Sequence, residues 1–336
     1  MEPFLDCTKD EALISAIKEK PKEGDVILFK KGNTYVLHRI IKAGLFGYVT
    51  KGDNRPAPDG LVLKSQVLGK LEGIYTDGVY RPIYQTSFAL RVAGIDIKIK
   101  ASERQKAYCK EYLIKKAGDD AVFADGQVPC SLEKSYDINV STYTIEAYRI
   151  MAQLWEKLYK FDALMLHSAA VEMGGKAYVF LGPSGIGKST HVKFLKQCYG
   201  DKVKVINGDK PILRMIDGKP FVCGTPWCGK ESWNSNVMVE LGGVVIFDRP
   251  KAEDGVEASS KIEKVDGIEA FDFLLSQVFM PKDVAAKEHT LSLFDDIFSK
   301  APIYHLWATK SQSAAQLSYM TLAGVPSGDI DITEGL

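Results

Sequence analysis

Between residues 24 and 80 apolar positions come in short β-rich runs cut by turn residues. Asp25 to Phe29 and Tyr35 to Ile41 flank Lys31-Gly32-Asn33, which predicts a hairpin. Tyr48 to Lys51 and Val67 to Tyr75 follow, separated by a proline-bearing loop from Gly52 to Gly60. Residues 1–80 are therefore expected to form a small all-β module. Arg81-Pro82 reads as a boundary, after which Ile95, Ile97 and Ile99 alternate with polar residues as in a half-buried strand. From Thr144 to Tyr159 the period changes. Ala147, Ile150, Met151, Leu154, Trp155 and Leu158 fall on one face of a helix that Thr144 is placed to cap. The stretch 81–160 thus reads as strands and a connecting helix.

From residue 161 to 324 apolar strands alternate with helices, the pattern of an α/β domain. Leu164 to Val171 reads as one strand and Ala177 to Leu181 as the next, around the turn Gly174-Gly175. Further strands are expected at Val203 to Ile206, Gly242 to Phe247 and near Ile303 to Leu306. Helices are expected from the glycine loop to about Cys198 and over 267–279, 283–299 and 311–322. Residues 325–336 read as a loose tail.

Composition narrows the function class. Lys plus Arg and Asp plus Glu each count 43 in 336 residues, so no net field draws in nucleic acid or an anionic membrane, and neither is an expected partner. Apolar residues at 46% and charged residues at 26% are those of a globular protein. The six cysteines lack metal-site spacing and read as reduced thiols in a cytoplasmic protein. The N-terminus, Met-Glu-Pro and soon charged, does not read as a signal peptide.

The strongest chemical signal is Gly182-Pro183-Ser184-Gly185-Ile186-Gly187-Lys188-Ser189, the pattern of a phosphate-binding loop between an apolar strand and a helix. Glycines let successive backbone N–H groups turn toward an anion, and the helix start adds its dipole. Lys188 is then the point charge on the β- and γ-phosphates, the Ser189 hydroxyl is a Mg²⁺ ligand, and Thr190 continues the cradle. ATP with Mg²⁺ is the expected cofactor pair. Asp209, in Asn207-Gly208-Asp209-Lys210 after the next strand, is the candidate for metal binding or for taking a proton from an acceptor, although Asn-Gly-Asp is also turn chemistry.

Leu166-His167-Ser168-Ala169-Ala170-Val171, the phosphate loop, Asn207 to Pro211 and Gly224-Thr225-Pro226-Trp227 together resemble the HPr kinase/phosphorylase-like group, which shares a fold with phosphoenolpyruvate carboxykinase. The resemblance covers roughly residues 85 to 323. It implies a kinase domain of that fold, moving the γ-phosphate to a hydroxyl such as a peptide or protein serine. By the same resemblance His167 lies near the phosphates, and Asp209 is one of two paired aspartates. Either Gly208 or Lys210 holds the place of the other. Thr225, Trp227 and Lys230 form a candidate lid or acceptor loop, with a rigid turn around a buried Trp227 as the plain alternative. Arg249, before Pro250, reads as a solvated loop charge in preference to a phosphate clamp.

Gly24 to Tyr75 resembles the β core of signal-peptidase-like serine proteases, through Gly24 to Phe29, Val36 to Ile40, Gly47 to Asn54 and Val67 to Lys70. That resemblance makes His38 the general base, with Asp53 and Asp59 near its supporting acids. In that family a serine precedes Met-x-Pro, whereas this chain opens Met1-Glu2-Pro3, and Ser15 lies in a charged, helix-like run. The module is therefore expected to bind peptide without cleaving it. The leading expectation for the chain is an ATP- and Mg²⁺-dependent kinase with an unidentified hydroxyl acceptor, in which a homo-oligomer is allowed for. A nucleotide-responsive binding protein is the alternative, and a carboxykinase-like lyase ranks last.

Overall fold

The computed structural model describes residues 10–23, 25–52, 57–76, 79–82, 85–126, 142–251 and 258–324. The chain divides into two compact units. One comprises Met1–Ser87, Lys100–Ala107 and Asp125–Arg149; the other comprises Phe88–Ile99, Tyr108–Ala124 and Ile150–Leu336. The stretch 81–160 is shared between them.

In the first unit seven strands form one sheet: β1 (Asp10–Ser15), β2 (Val26–Lys31), β3 (Thr34–Ala43), β4 (Gly47–Lys51), β5 (Leu61–Leu63), β6 (Val67–Thr76) and β7 (Val79–Pro82). The β2–β3 hairpin turns where Lys31-Gly32-Asn33 predicts it, with Gly32 at φ +62°. Ile27, Phe29, Ile40, Tyr48 and Val62 make its core. Ser15 differs from expectation: it ends a strand paired with β6, in register Ser15↔Lys70. The charged run is strand because a long partner edge recruits it, overriding local helix propensity. Arg81-Pro82 also stays in this sheet, since β7 pairs back onto β6.

Strands β8 (Gln85–Val92) and β9 (Ile95–Ser102) turn at Ala93-Gly94, both at positive φ. They join β10 (Leu113–Ile114) and β11 (Val122–Asp125) in a four-stranded sheet, after the short helix α1 (Glu103–Tyr108). Ile95, Ile97 and Ile99 are buried and Lys98 is exposed, as alternation requires. Helix α2 (Thr142–Trp155) starts two residues before Thr144, which therefore lies in its first turn rather than at its cap.

The second unit is built on a nine-stranded mixed sheet, so the chain is a mixed α/β protein. Its strands are β12 (Ala163–Met165), β13 (Ser168–Met173), β14 (Lys176–Leu181), β15 (Val203–Asn207), β16 (Ile212–Ile216), β17 (Lys219–Cys223), β18 (Met238–Asp248), β19 (Lys261–Val265) and β20 (Ile303–Trp307). Only β14–β18 and β18–β20 pair in parallel among the described pairs; β13 runs antiparallel to both β14 and β15. Hence β14, β15, β18 and β20 all end at one edge of the sheet. Beyond Lys176, strand β14 is apolar and buried because both of its faces are covered. Val179 and Leu181 pack with α4 (Gly267–Ser276) and α5 (Val284–Phe298), and Tyr178 and Phe180 with α3 (Lys188–Tyr199) and α6 (Gln312–Ala323). Asp266, Asp283 and Ser311 cap α4, α5 and α6.

Leu164 to Val171, expected as one strand, is two. The amides of Leu166, His167 and Ser168 bond to the carbonyls of Pro211, Gln277 and Asp209 in turn, so the chain crosses between positions in the sheet there. Helix α4 ends at Ser276 rather than 279 for the same reason: Gln277 and Phe279 are used to bridge that crossing.

Candidate functional site

The glycine-rich segment Gly182 to Ser189 follows β14 at the sheet edge where the parallel strands end, the place where α/β folds bind ligands. Gly185 and Gly187 take φ of +82° and +115°, conformations that turn backbone amides inward at little cost only for glycine. Helix α3 begins at Lys188, and no side chain caps it. His191 is the residue whose amide reaches back to Gly187 O at 2.9 Å. The preceding N–H groups, those of Lys188, Ser189 and Thr190, are the orphan donors of a helix start, which suits an anion. Pro183 and Ser184 are exposed at the rim, and Ile186, Gly187, Ser189 and Thr190 are half-buried.

Lys188 is buried, and its ammonium donates to Gly182 O at 2.6 Å and Pro183 O at 3.1 Å. Burial lowers its pKa, Asp209 opposes that shift, and Lys210 adds to it. The loop thus folds its own cation into the cradle, and the donor set fits a polyphosphate.

Beside it lies the turn after β15. Asn207, wholly buried, accepts from the amides of Asp209 (2.8 Å) and Lys210 (2.6 Å) and donates to Thr225 O and Oγ1. This Asx-type arrangement fixes the direction of Asp209. Asp209 Oδ1 lies 3.4 Å from His167 Nε2, and Oδ2 lies 2.8 Å from Lys210 Nζ. Burial holds the His167 imidazole below its ordinary pKa, reinforced by Lys188 and Lys210, while Asp209 and a hydrogen bond with Gln277 oppose it. His167 is therefore neutral near pH 7.

Gly208 and Lys210 flank Asp209 in this turn. A side chain at Gly208 would meet Cys228 O at 2.6 Å, so that position admits none without movement. Lys210 instead buries its ammonium against Asp209, over the Phe279 ring at 5.4 Å, and Phe279 stacks on Trp155. Among the described residues no group of three or more His, Cys, Asp or Glu could hold a metal ion. Ser189 and Asp209 would accordingly supply the protein's share of a Mg²⁺ site, with phosphates and water supplying the rest.

The 224–230 loop differs from an exposed acceptor platform. Thr225 is fully buried, with its hydroxyl bonded to Lys210 O at 2.7 Å, and Trp227 is buried as in the rigid-turn alternative. Lys230 is exposed. Gly229 packs on Asp209, where a Cβ would stand 3.1 Å from that of the aspartate. Arg249 is also not a solvated charge. Its Nε donates to Ile186 O (2.9 Å) and its Nη1 to Ala308 O (2.8 Å), so it braces the phosphate loop from the neighbouring strand. A side chain at 187 would run into that guanidinium. Asn207 and Arg249 are the residues whose roles the motif pattern missed. Asn-Gly-Asp turn chemistry was the available signal for the first; nothing in the local sequence marks the second.

In the first unit His38 Nδ1 forms a short hydrogen bond with Asp59 Oδ2, to which Thr50 Oγ1 also donates at 3.0 Å. These hydrogen bonds lower the Asp59 pKa against the opposing effect of burial. Asp59 is thus the acid brought to His38; Asp53, and the residues around Met1-Glu2-Pro3, lie outside the described residues. Ser15 bonds to Lys70 O at 3.5 Å. Among the described residues no helix is long and apolar enough to cross a membrane.

A solved structure described as the Hpr(Ser) kinase/phosphatase from Coxiella burnetii is similar to this chain at 11% identity, over 48% of this chain and 93% of that one, with a TM-score of 0.26. No family model matches the chain. No curated protein matches it either. A likeness at that TM-score carries no functional weight, so the chemistry of the site has to.

Proposed function

We propose that the chain is an ATP- and Mg²⁺-dependent phosphotransferase acting on a hydroxyl acceptor, a peptide or protein serine among the candidates. The observation that carries this reading is the convergence of Lys188, Asp209, His167 and Lys210 at one edge of the sheet, beside a glycine cradle suited to phosphates. Bound ATP with Mg²⁺ supplies the transferable phosphoryl group and the counter-charge. The free backbone amides at the start of α3, those of Lys188, Ser189 and Thr190, would orient the phosphates, and Ser189 with Asp209 would hold the ion.

Asp209 Oδ1, which faces neutral His167, takes the acceptor hydroxyl's proton. His167 positions that carboxylate. Lys188 and Lys210 bring two ammonium groups to bear on the charge that develops during transfer. Because either Gly208 or Lys210 stands where the resemblance calls for a second aspartate, this site has a fixed ammonium beside Asp209 and no second metal-binding acid in that turn. The Asp209–Lys210 pair also favours a second reading, an ATP-responsive binding protein, since Lys210 already occupies one of the two carboxylate oxygens.

Labelled ATP incubated with a library of hydroxyl-bearing peptides separates the two. The phosphotransferase reading expects label transfer that Lys188→Ala and Asp209→Asn each reduce by about 10²-fold or more. Nucleotide binding without transfer to any acceptor supports the second reading. The His38–Asp59 module is proposed to hold an extended peptide, a role that peptide-binding assays of wild type and His38→Ala would test.

A further inference from the structure

Trp307 ends strand β20, two strands from the phosphate loop. Leu181, the residue before the loop, pairs with Ile246, and Asp248, two residues further along β18, pairs with Trp307. Two strand spacings amount to about 10 Å. The separation is fixed by Arg249, which bonds at once to Ile186 O in the loop and to Ala308 O, next to the tryptophan. One face of the Trp307 indole is covered by His305, with ring centroids 3.7 Å apart and planes 17° from parallel. Since His305 lies two residues back along the strand, the other face looks toward the edge where the strands end. Burial holds His305 below its ordinary pKa, against Asp248 and Glu263, so the stack carries no fixed charge near neutral pH.

From this arrangement we infer that Trp307 is the stacking platform for the base of the nucleotide whose phosphates occupy the glycine loop. The inference rests on the nucleotide reading above and adds the subsite that reading leaves open. Crossing the sheet edge from β20 to β15, one meets Trp307, Arg249, the glycine loop and Asp209 in that order. A nucleotide laid along it has its base at one end and its γ-phosphate at the acid. Lys261 reaches over the indole at 5.8 Å and pairs with Glu263; its side chain is 62% exposed, so it is the group a base displaces. The hydroxyls of Ser260 and Thr309, 2.8 Å apart beside the platform, are hydrogen-bonding groups for the edge of the base.

Calorimetric titration of the full chain with Mg-ATP and, separately, with Mg-tripolyphosphate tests this, because the second ligand has phosphates and no base. For Trp307→Ala the inference expects ATP affinity to fall about ten-fold or more, with tripolyphosphate affinity unchanged within about two-fold. Trp307→Phe, which keeps an aromatic face, should recover most of the loss. Retained tripolyphosphate binding shows that each variant is folded. Equal weakening of both ligands, or no weakening of ATP, overturns the inference while leaving the phosphate site standing. A wild-type chain that binds tripolyphosphate no worse than ATP also overturns it, and one that binds neither overturns the nucleotide reading as well.

Discussion

Lys210 Nζ stands 2.8 Å from Asp209 Oδ2, with only 7% of the lysine side chain exposed against 28% of the aspartate. Two groups so placed depend on each other, because removing either leaves a desolvated charge without its partner. Lys210→Met and Asp209→Asn should each destabilise the protein, and the double variant should lose less than the sum. Urea unfolding of the four proteins is expected to give a coupling of about 1–3 kcal/mol. A coupling indistinguishable from zero would show that the pair does not organise the site.

Arg249 should matter to nucleotide binding without touching the reacting atoms. Arg249→Ala releases the Ile186 carbonyl and frees the loop to rearrange, so Mg-ATP affinity should drop about ten-fold with little change in unfolding midpoint. Arg249→Lys should not restore it, since one ammonium cannot replace the guanidinium fork. Gly187→Ala should be at least as damaging, through both its φ of +115° and the collision with Arg249. Equilibrium dialysis against labelled ATP measures all three; unchanged affinity in Arg249→Ala refutes the bracing role.

Asn207 is expected to be a stability residue as well as an organiser. Asn207→Ala strands the half-buried amide of Asp209, the buried amide of Lys210 and the groups of Thr225, so unfolding free energy should fall by about 2–4 kcal/mol. Thr225→Val removes only the hydroxyl contacts and should cost about 1 kcal/mol. If Asn207→Ala is within error of wild type, the turn is held by something else.

Much of this site was legible from local pattern. Ala177 to Leu181 followed by the glycine loop and Lys188 defines a strand, a turn and a helix without tertiary information, and α5 and α6 fall within a residue or two of their expected spans. Long-range pairing was not legible. The Leu164 to Val171 run breaks at Leu166–Ser168 because three distant carbonyls compete for its amides, and Ser15 is strand because β6 offers an edge. Arg249 reads as a loop charge until β18 is known to lie against β14.

His191 gives a pH dependence. It is buried beneath the phosphate loop, 2.9 Å from Ser318 Oγ and against Phe180 and Phe247. Burial, with Arg249 second, pushes its pKa down to about 3. The unfolded chain binds this proton below about pH 6.5 while the folded chain refuses it until about pH 3. This contribution to stability is therefore complete above pH 6.5 and is lost as pH falls through that window, by up to about 1.4 kcal/mol per unit. Thermal unfolding of wild type and His191→Gln between pH 7 and pH 4 should show a shallower decline in the variant. Parallel curves contradict the assignment.

Whether the Gly182–Ser189 cradle and its lysine hold a polyphosphate is decided in solution. Isothermal titration of the full chain with ATP in millimolar Mg²⁺ tests it most directly, run beside Lys188→Ala. Saturable one-to-one binding is expected, weakened by about ten-fold or more in the variant. No heat in the wild type, or the same binding curve for both proteins, would contradict it.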